Sequence, residues 1–134
     1  MFKKYNQKEI NDYLAKHPTP PELIKATNDL LDLFPEFKNS KFNLWNDNPI
    51  PFMVFSDFNR FLIDRLKDNS DITPDLLIKR AADFISKLYS SGNYYLKDLV
   101  LSGVFEDLVE DPNTKVLINL MSVEAGNTFK EFFK

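Results

Sequence analysis

Residues 73–109 read TPDLLIKRAADFISKLYSSGNYYLKDLVLSGVFEDLV, and this stretch decides the fold. Thr73 is placed as a helix N-cap and Pro74 takes a first-turn position that needs no N–H. Asp75 then sits near the positive end of the helix dipole. Leu77, Ala81, Phe84, Ile85 and Leu88 recur at three- and four-residue spacing, which puts them on one helical face. Ser90-Ser91-Gly92 stops the helix, with Gly92 suited to a left-handed C-cap. Asn93 caps a second helix whose apolar residues are Tyr94, Leu96, Leu99, Val100, Val104, Leu108 and Val109. Gly103 inside it costs roughly 1 kcal/mol of helix propensity relative to Ala; a close helix–helix crossing there explains the cost. Phe84, Leu88, Leu99, Val100 and Val104 are expected in the core.

The same alternation extends in both directions. Upstream, the spacing predicts a helix from about Phe52 to Lys67, with Phe55, Phe58, Leu62 and Leu66 on one side and Asp68-Asn69-Ser70-Asp71 as the break. Residues 38–51, KNSKFNLWNDNPIP, are irregular, and Phe42, Leu44, Trp45 and Ile50 are expected to pin them to the core. A further helix starts at Thr19 (cap) and Pro20 (first turn), with Glu22 completing a capping box, and closes at Phe34-Pro35. The N-terminal helix covers about Gln7 to Lys16, after Asn6 as cap, and ends at His17-Pro18. Downstream, Asp111-Pro112 restarts the chain into a helix carrying Val116, Leu117, Leu120 and Met121. A short last helix, Asn127 to Phe133, docks Phe129, Phe132 and Phe133. The expected architecture is all-α: six to seven amphipathic helices in one domain, 1–134, forming an antiparallel bundle or a short stack of helical hairpins.

Composition narrows the function. The 134 residues contain no Cys and one His, His17, which removes disulfides, thiolate zinc sites, cysteine nucleophiles and poly-His metal sites. His17, beside a proline at a helix end, reads as an exposed or capping side chain. Three glycines, at 92, 103 and 126, cannot make a phosphate-cradling loop, and no Gly-x-Ser-x-Gly elbow occurs. A calcium loop from Asp68 fails, with Thr73 at its sixth position and Lys79 at its twelfth. No cofactor and no catalytic residues are expected. No apolar run approaches the ~20 residues that span a bilayer. Met1-Phe2-Lys3-Lys4-Tyr5-Asn6 has no apolar core of a signal peptide, so a cytoplasmic location is expected.

Net charge is −3, divided as +1 over residues 1–67 and −4 over 68–134. No basic stripe is present, which argues against nucleic acid, and the acidic half points to a basic partner. Glu106, Asp107, Glu110 and Asp111 are the densest acidic set, with no Lys or Arg between 98 and 114. Glu106 and Glu110 share one helix face, Asp107 and Asp111 the adjacent one. They are read as partner-binding residues; the alternatives are a solvated helix face, or a metal site completed by carboxylates such as Asp29 and Asp32. Trp45, in the aromatic loop, is a second candidate anchor, because Trp is enriched at binding hot spots; otherwise it covers the open end of the core.

The segment Asp98-Leu99-Val100-Leu101-Ser102-Gly103-Val104-Phe105-Glu106-Asp107-Leu108 resembles the penultimate-helix signature of small bacterial helical domains. The chain is also similar to the small acidic helical immunity proteins encoded beside secreted bacterial toxins. The likeness covers residues 52–121, and the run here, Val-Phe-Glu-Asp-Leu, lacks the usual second leucine. It implies a non-catalytic protein that binds and neutralises a basic toxin domain. The alternative is a helical adaptor or regulatory subunit with an endogenous partner.

Overall fold

The computed structural model describes residues 18–45, 50–68 and 76–133, with 8, 9, 12 and 16 as isolated helical positions. The caps expected at Asn6 and Thr73, the helix end at His17 and the break at 69–71 lie outside these residues. The described chain is all-helical and no strand occurs in it. The helices are α1 (Pro21–Leu33), α2 (Pro35–Lys38), α3 (Pro51–Asp68), α4 (Leu76–Tyr89) and α5 (Tyr94–Asp98). A π-helical segment (Leu99–Phe105), α6 (Glu106–Leu108), a 3₁₀ helix (Pro112–Asn119) and α7 (Val123–Glu131) follow.

Proline sets three of the boundaries. Pro20, Phe34 and Asp111 each precede a proline and each stays out of the helical region, at ψ 137°, 69° and 119°. This corrects the start expected at Thr19-Pro20. Pro20 is forced extended by Pro21, so α1 begins one residue later and no side chain caps it. Phe34-Pro35 closes α1 as expected, with Phe34 as its C-cap, and Pro35 then opens the single turn of α2. At Asp111 the expected restart occurs, with the Asp111 carboxylate accepting from Asn113 N–H at 2.9 Å. The helix that follows is 3₁₀ rather than α. Its β-branched Thr114, Val116 and Ile118 favour the α form poorly. The last helix starts at Val123, four residues before the expected Asn127, because Ser122 caps it through Ala125 N–H.

Gly92 adopts φ 80° and Asn93 accepts from both Tyr95 and Leu96 N–H, as the sequence predicts. Phe84, Leu88, Leu99, Val100 and Val104 are all buried. The core is phenylalanine-rich. Phe58 of α3 meets Phe34 and Phe37 at ring distances of 4.8 and 5.2 Å, and Phe105 stacks on Phe129 at 4.7 Å. α3 packs against α1, the π segment, α6 and the 3₁₀ helix, so it is the element around which the others assemble.

The irregular loop is held by one buried carboxylate. Asp57 accepts Leu44 N–H at 3.0 Å and pairs with Arg60. Burial pushes its carboxyl above the usual value, against the pull of the Leu44 N–H and Arg60. Phe42 and Trp45 rest half-buried on the core. Leu44, expected to pin the loop with its side chain, is 67% exposed; its backbone does the pinning instead.

Two substitutions test this packing. Phe58→Ala removes a wholly buried ring between helices and should cost about 3–5 kcal/mol in urea denaturation. Gly126→Ala should also destabilise, by about 1–3 kcal/mol, because a Cβ there would lie 2.6 Å from the Ile118 carbonyl oxygen, which is backbone and cannot swing away. An unchanged midpoint for Gly126→Ala would show that α7 and the 3₁₀ helix are not in this close contact.

Candidate functional site

The expected close crossing at Gly103 is present, and its partner is α3. A Cβ on Gly103 would lie 3.1 Å from the Phe52 ring and 3.1 Å from the Leu99 side chain. The crossing coincides with a change of helix type. Glu106 N–H donates to Leu101 O, five residues back, whereas Val109 N–H donates to Phe105 O, four back. Between these two bonds lie three carbonyls, 102 to 104, but only two N–H groups, 107 and 108. One carbonyl is therefore left over, and burying it unpaired would be costly.

Asn59 of α3 brings a side-chain donor to one of these three carbonyls. Its amide nitrogen donates to Gly103 O at 2.7 Å and to Asp107 Oδ2 at 3.0 Å. Ser56 Oγ adds a third contact, also to Asp107 Oδ2, at 3.3 Å. Both nitrogen contacts are to acceptors, which fixes the amide orientation. Asn59 is wholly buried, and its own Oδ1 finds no hydrogen-bond donor. These residues escaped the sequence reading, although a signal existed. Asn59 lies on the same apolar stripe as Phe55, Phe58 and Leu62, and a polar residue there needs a buried partner.

A cleft of about 430 Å³ opens beside this crossing. Phe52, Met53 and Gly103 form its apolar part. Glu106, Asp107 and Glu110 bring carboxylates to it, Ser56 and Ser102 bring hydroxyls, and among the described residues no basic side chain lines it. Glu106 and Glu110 are exposed, while Asp107 is half-buried with both its bonds on Oδ2.

Three of the four expected acidic residues thus meet in one place, and the fourth does not. α6 ends at Leu108, so neither expected helix face is completed: Glu110 borders the cleft from the turn that follows, and Asp111 lies beyond the face that Asp107 was expected to share with it. It caps the 3₁₀ helix and faces Lys67 Nζ at 3.4 Å. The sequence placed no cation near the cluster because Lys67 comes from α3, 44 residues earlier. Trp45 does not line the cleft either. Asp29 and Asp32, the carboxylates considered for a shared metal site, line a different cleft of about 540 Å³ with Lys25, Phe84, Lys87 and Leu88. There the acids have cations beside them, and Lys25 pairs with Asp29 at 2.8 Å. Among the described residues, no three His, Asp or Glu side chains are grouped to hold a metal ion, and no helix is long and apolar enough to cross a membrane.

The Asn59 clamp is directly testable. Asn59→Ala should cost about 1–3 kcal/mol, the penalty for an unpaired buried carbonyl. Asn59→Asp should cost more at neutral pH, because it replaces the donor with a carboxylate facing Asp107. The new carboxyl would have its folded pKa raised above the unfolded value. Its destabilisation should therefore be absent below the unfolded pKa and grow as pH rises through the folded one. Urea denaturation of both variants at pH 4 and pH 7 measures this; equal costs at both pH values would show that residues 59 and 107 do not interact.

No curated protein and no solved structure is found to match the chain. Residues 27–133, from the middle of α1 to the end of the described chain, match the model of a domain of unknown function, DUF7674, and the chain belongs to that family.

Proposed function

We propose that this chain is a non-catalytic, cytoplasmic protein-binding module of the immunity type, which binds a basic face of a cognate bacterial toxin domain and masks it. The observation that supports this reading is the cleft beside the α3 crossing. It carries Glu106, Asp107 and Glu110, with no basic side chain in its lining among the described residues. Like charges gathered at one cleft repel one another in the free protein, and a cationic partner surface relieves that repulsion on binding. Complementary charge of this kind chiefly accelerates encounter and fixes register.

The polar groups behind the cleft are already engaged in structure. Asp107 Oδ2 is held by Ser56 and Asn59. The arrangement is that of a rigid docking surface, in which charge is displayed on a fixed helix. The alternative partner, an endogenous protein bound by a helical adaptor, would use the same surface; a toxin gene next to this one, and protection of cells by co-expression, distinguish the two.

Charge reversal provides the kinetic test. Glu106→Lys with Glu110→Lys should slow association with the captured partner by roughly tenfold or more at low salt and flatten its salt dependence. The circular dichroism melt should stay unchanged, since both side chains are exposed. Stopped-flow association at low and high ionic strength measures the effect. The same rate and the same salt slope in the variant would reduce the cluster to a solvated face.

A further inference from the structure

We propose that the cleft between α3 and the π segment is a receptor for one arginine side chain of a protein partner, with the guanidinium lying against the Phe52 ring and forked towards the carboxylates of Glu106 and Glu110. This rests on the protein-binding reading above and specifies the chemistry of its contact.

The first support is the combination of groups. Phe52 is a large apolar side chain that the fold leaves 37% exposed, and it lies at the cleft. Gly103 makes its position possible: any Cβ there would press on the ring at 3.1 Å. An aromatic face with carboxylates around it is the environment a flat cation prefers, because the ring attracts the charge while the acids accept its N–H groups. The second support is preorganisation. Asp107 is held through Oδ2, and its Oδ1 receives no hydrogen bond.

Among cations, guanidinium fits best. A metal ion lacks a closed ligand set, since the three carboxylates that border the cleft are not grouped to hold one. An ammonium is a compact point charge with three donors. Guanidinium is planar, stacks on a ring, and offers five donors in a fixed fork that can reach two carboxylates at once. Glu106 and Glu110 both border the cleft, and a fork with several donors can turn towards each of them where a point charge serves one.

The experiment uses the full chain labelled with ¹⁵N and titrated with two probes, acetyl-Gly-Arg-Gly-amide and acetyl-Gly-Lys-Gly-amide. The arginine peptide should shift the amide signals of Ser102, Gly103, Glu106 and Asp107, and should bind at least two- to fivefold more tightly than the lysine peptide, the range expected of an exposed cation–π contact. Phe52→Leu keeps an apolar side chain at the crossing and should abolish that preference. Glu106→Gln should weaken both peptides. Equal affinity for the two peptides, shifts that map elsewhere, or an unchanged preference in Phe52→Leu would overturn the proposal. The two readings fail separately. If charge reversal at Glu106 and Glu110 slows the captured partner but the peptides show no arginine preference, the guanidinium site is wrong and the docking surface stands. If the arginine peptide binds as described but charge reversal leaves partner association unchanged, the protein-binding reading is wrong.

Discussion

The hydrogen bond from Asn59 to the Gly103 carbonyl is the interaction on which the arrangement of the remaining helices rests. A helix that widens to five-residue hydrogen bonding and then returns to four leaves one carbonyl without a backbone donor. A helix packed against it at ordinary distance would bury that carbonyl unpaired. α3 comes close enough to donate to it because residue 103 has no side chain, and because residue 59 carries an amide rather than an apolar group. The 1 kcal/mol or so that glycine takes from helix propensity is offset by the close approach it permits.

From that crossing the rest follows by packing. α3 brings Phe55, Phe58 and Leu62 into the centre and presents Phe34, Phe37 and Phe84 with rings to meet. The second aromatic group, around Phe105 and Phe129, holds α7 over the C-terminal end of the π segment. Cross-links between distant polar side chains finish the placement. Ser122 N–H donates to Ser86 Oγ at 3.0 Å, the Tyr89 hydroxyl meets Thr128 Oγ1 at 2.8 Å, and Arg80 reaches Leu33 O and Glu36. The Arg80 guanidinium also holds the Glu36 carboxyl below its usual value.

The same crossing shapes the surface. It sets Phe52 beside the first turn of α6, so that an aromatic side chain from one helix and three carboxylates from the end of another border one cleft. Asp107 is shared between the two roles. One of its oxygens belongs to the internal clamp, and the other faces no donor. On the proposed reading, a cleft wall tied to a structural hydrogen bond is held in place before a partner arrives, which lowers the ordering cost of association.

Helical periodicity, Gly92, the Asn93 cap and the proline-set breaks were determined by the sequence alone, because each depends on residues within a few positions of one another. The core positions on α4 and on helix 94–108 were legible for the same reason: a 3.6-residue repeat states which face is apolar without reference to what covers it. Glu106, Asp107 and Glu110 could be recognised as a group because they lie within five consecutive positions. What only the tertiary structure decided are the relations between segments. The π widening depends on a donor 44 residues away, so no local pattern announced it. Asp111 left the acidic group because a proline ended its helix and Lys67 crossed to it. Phe52 marked only the expected start of a helix; it became part of a cleft because a glycine on another helix let the two backbones approach, and contact across the fold is not encoded in spacing along the chain.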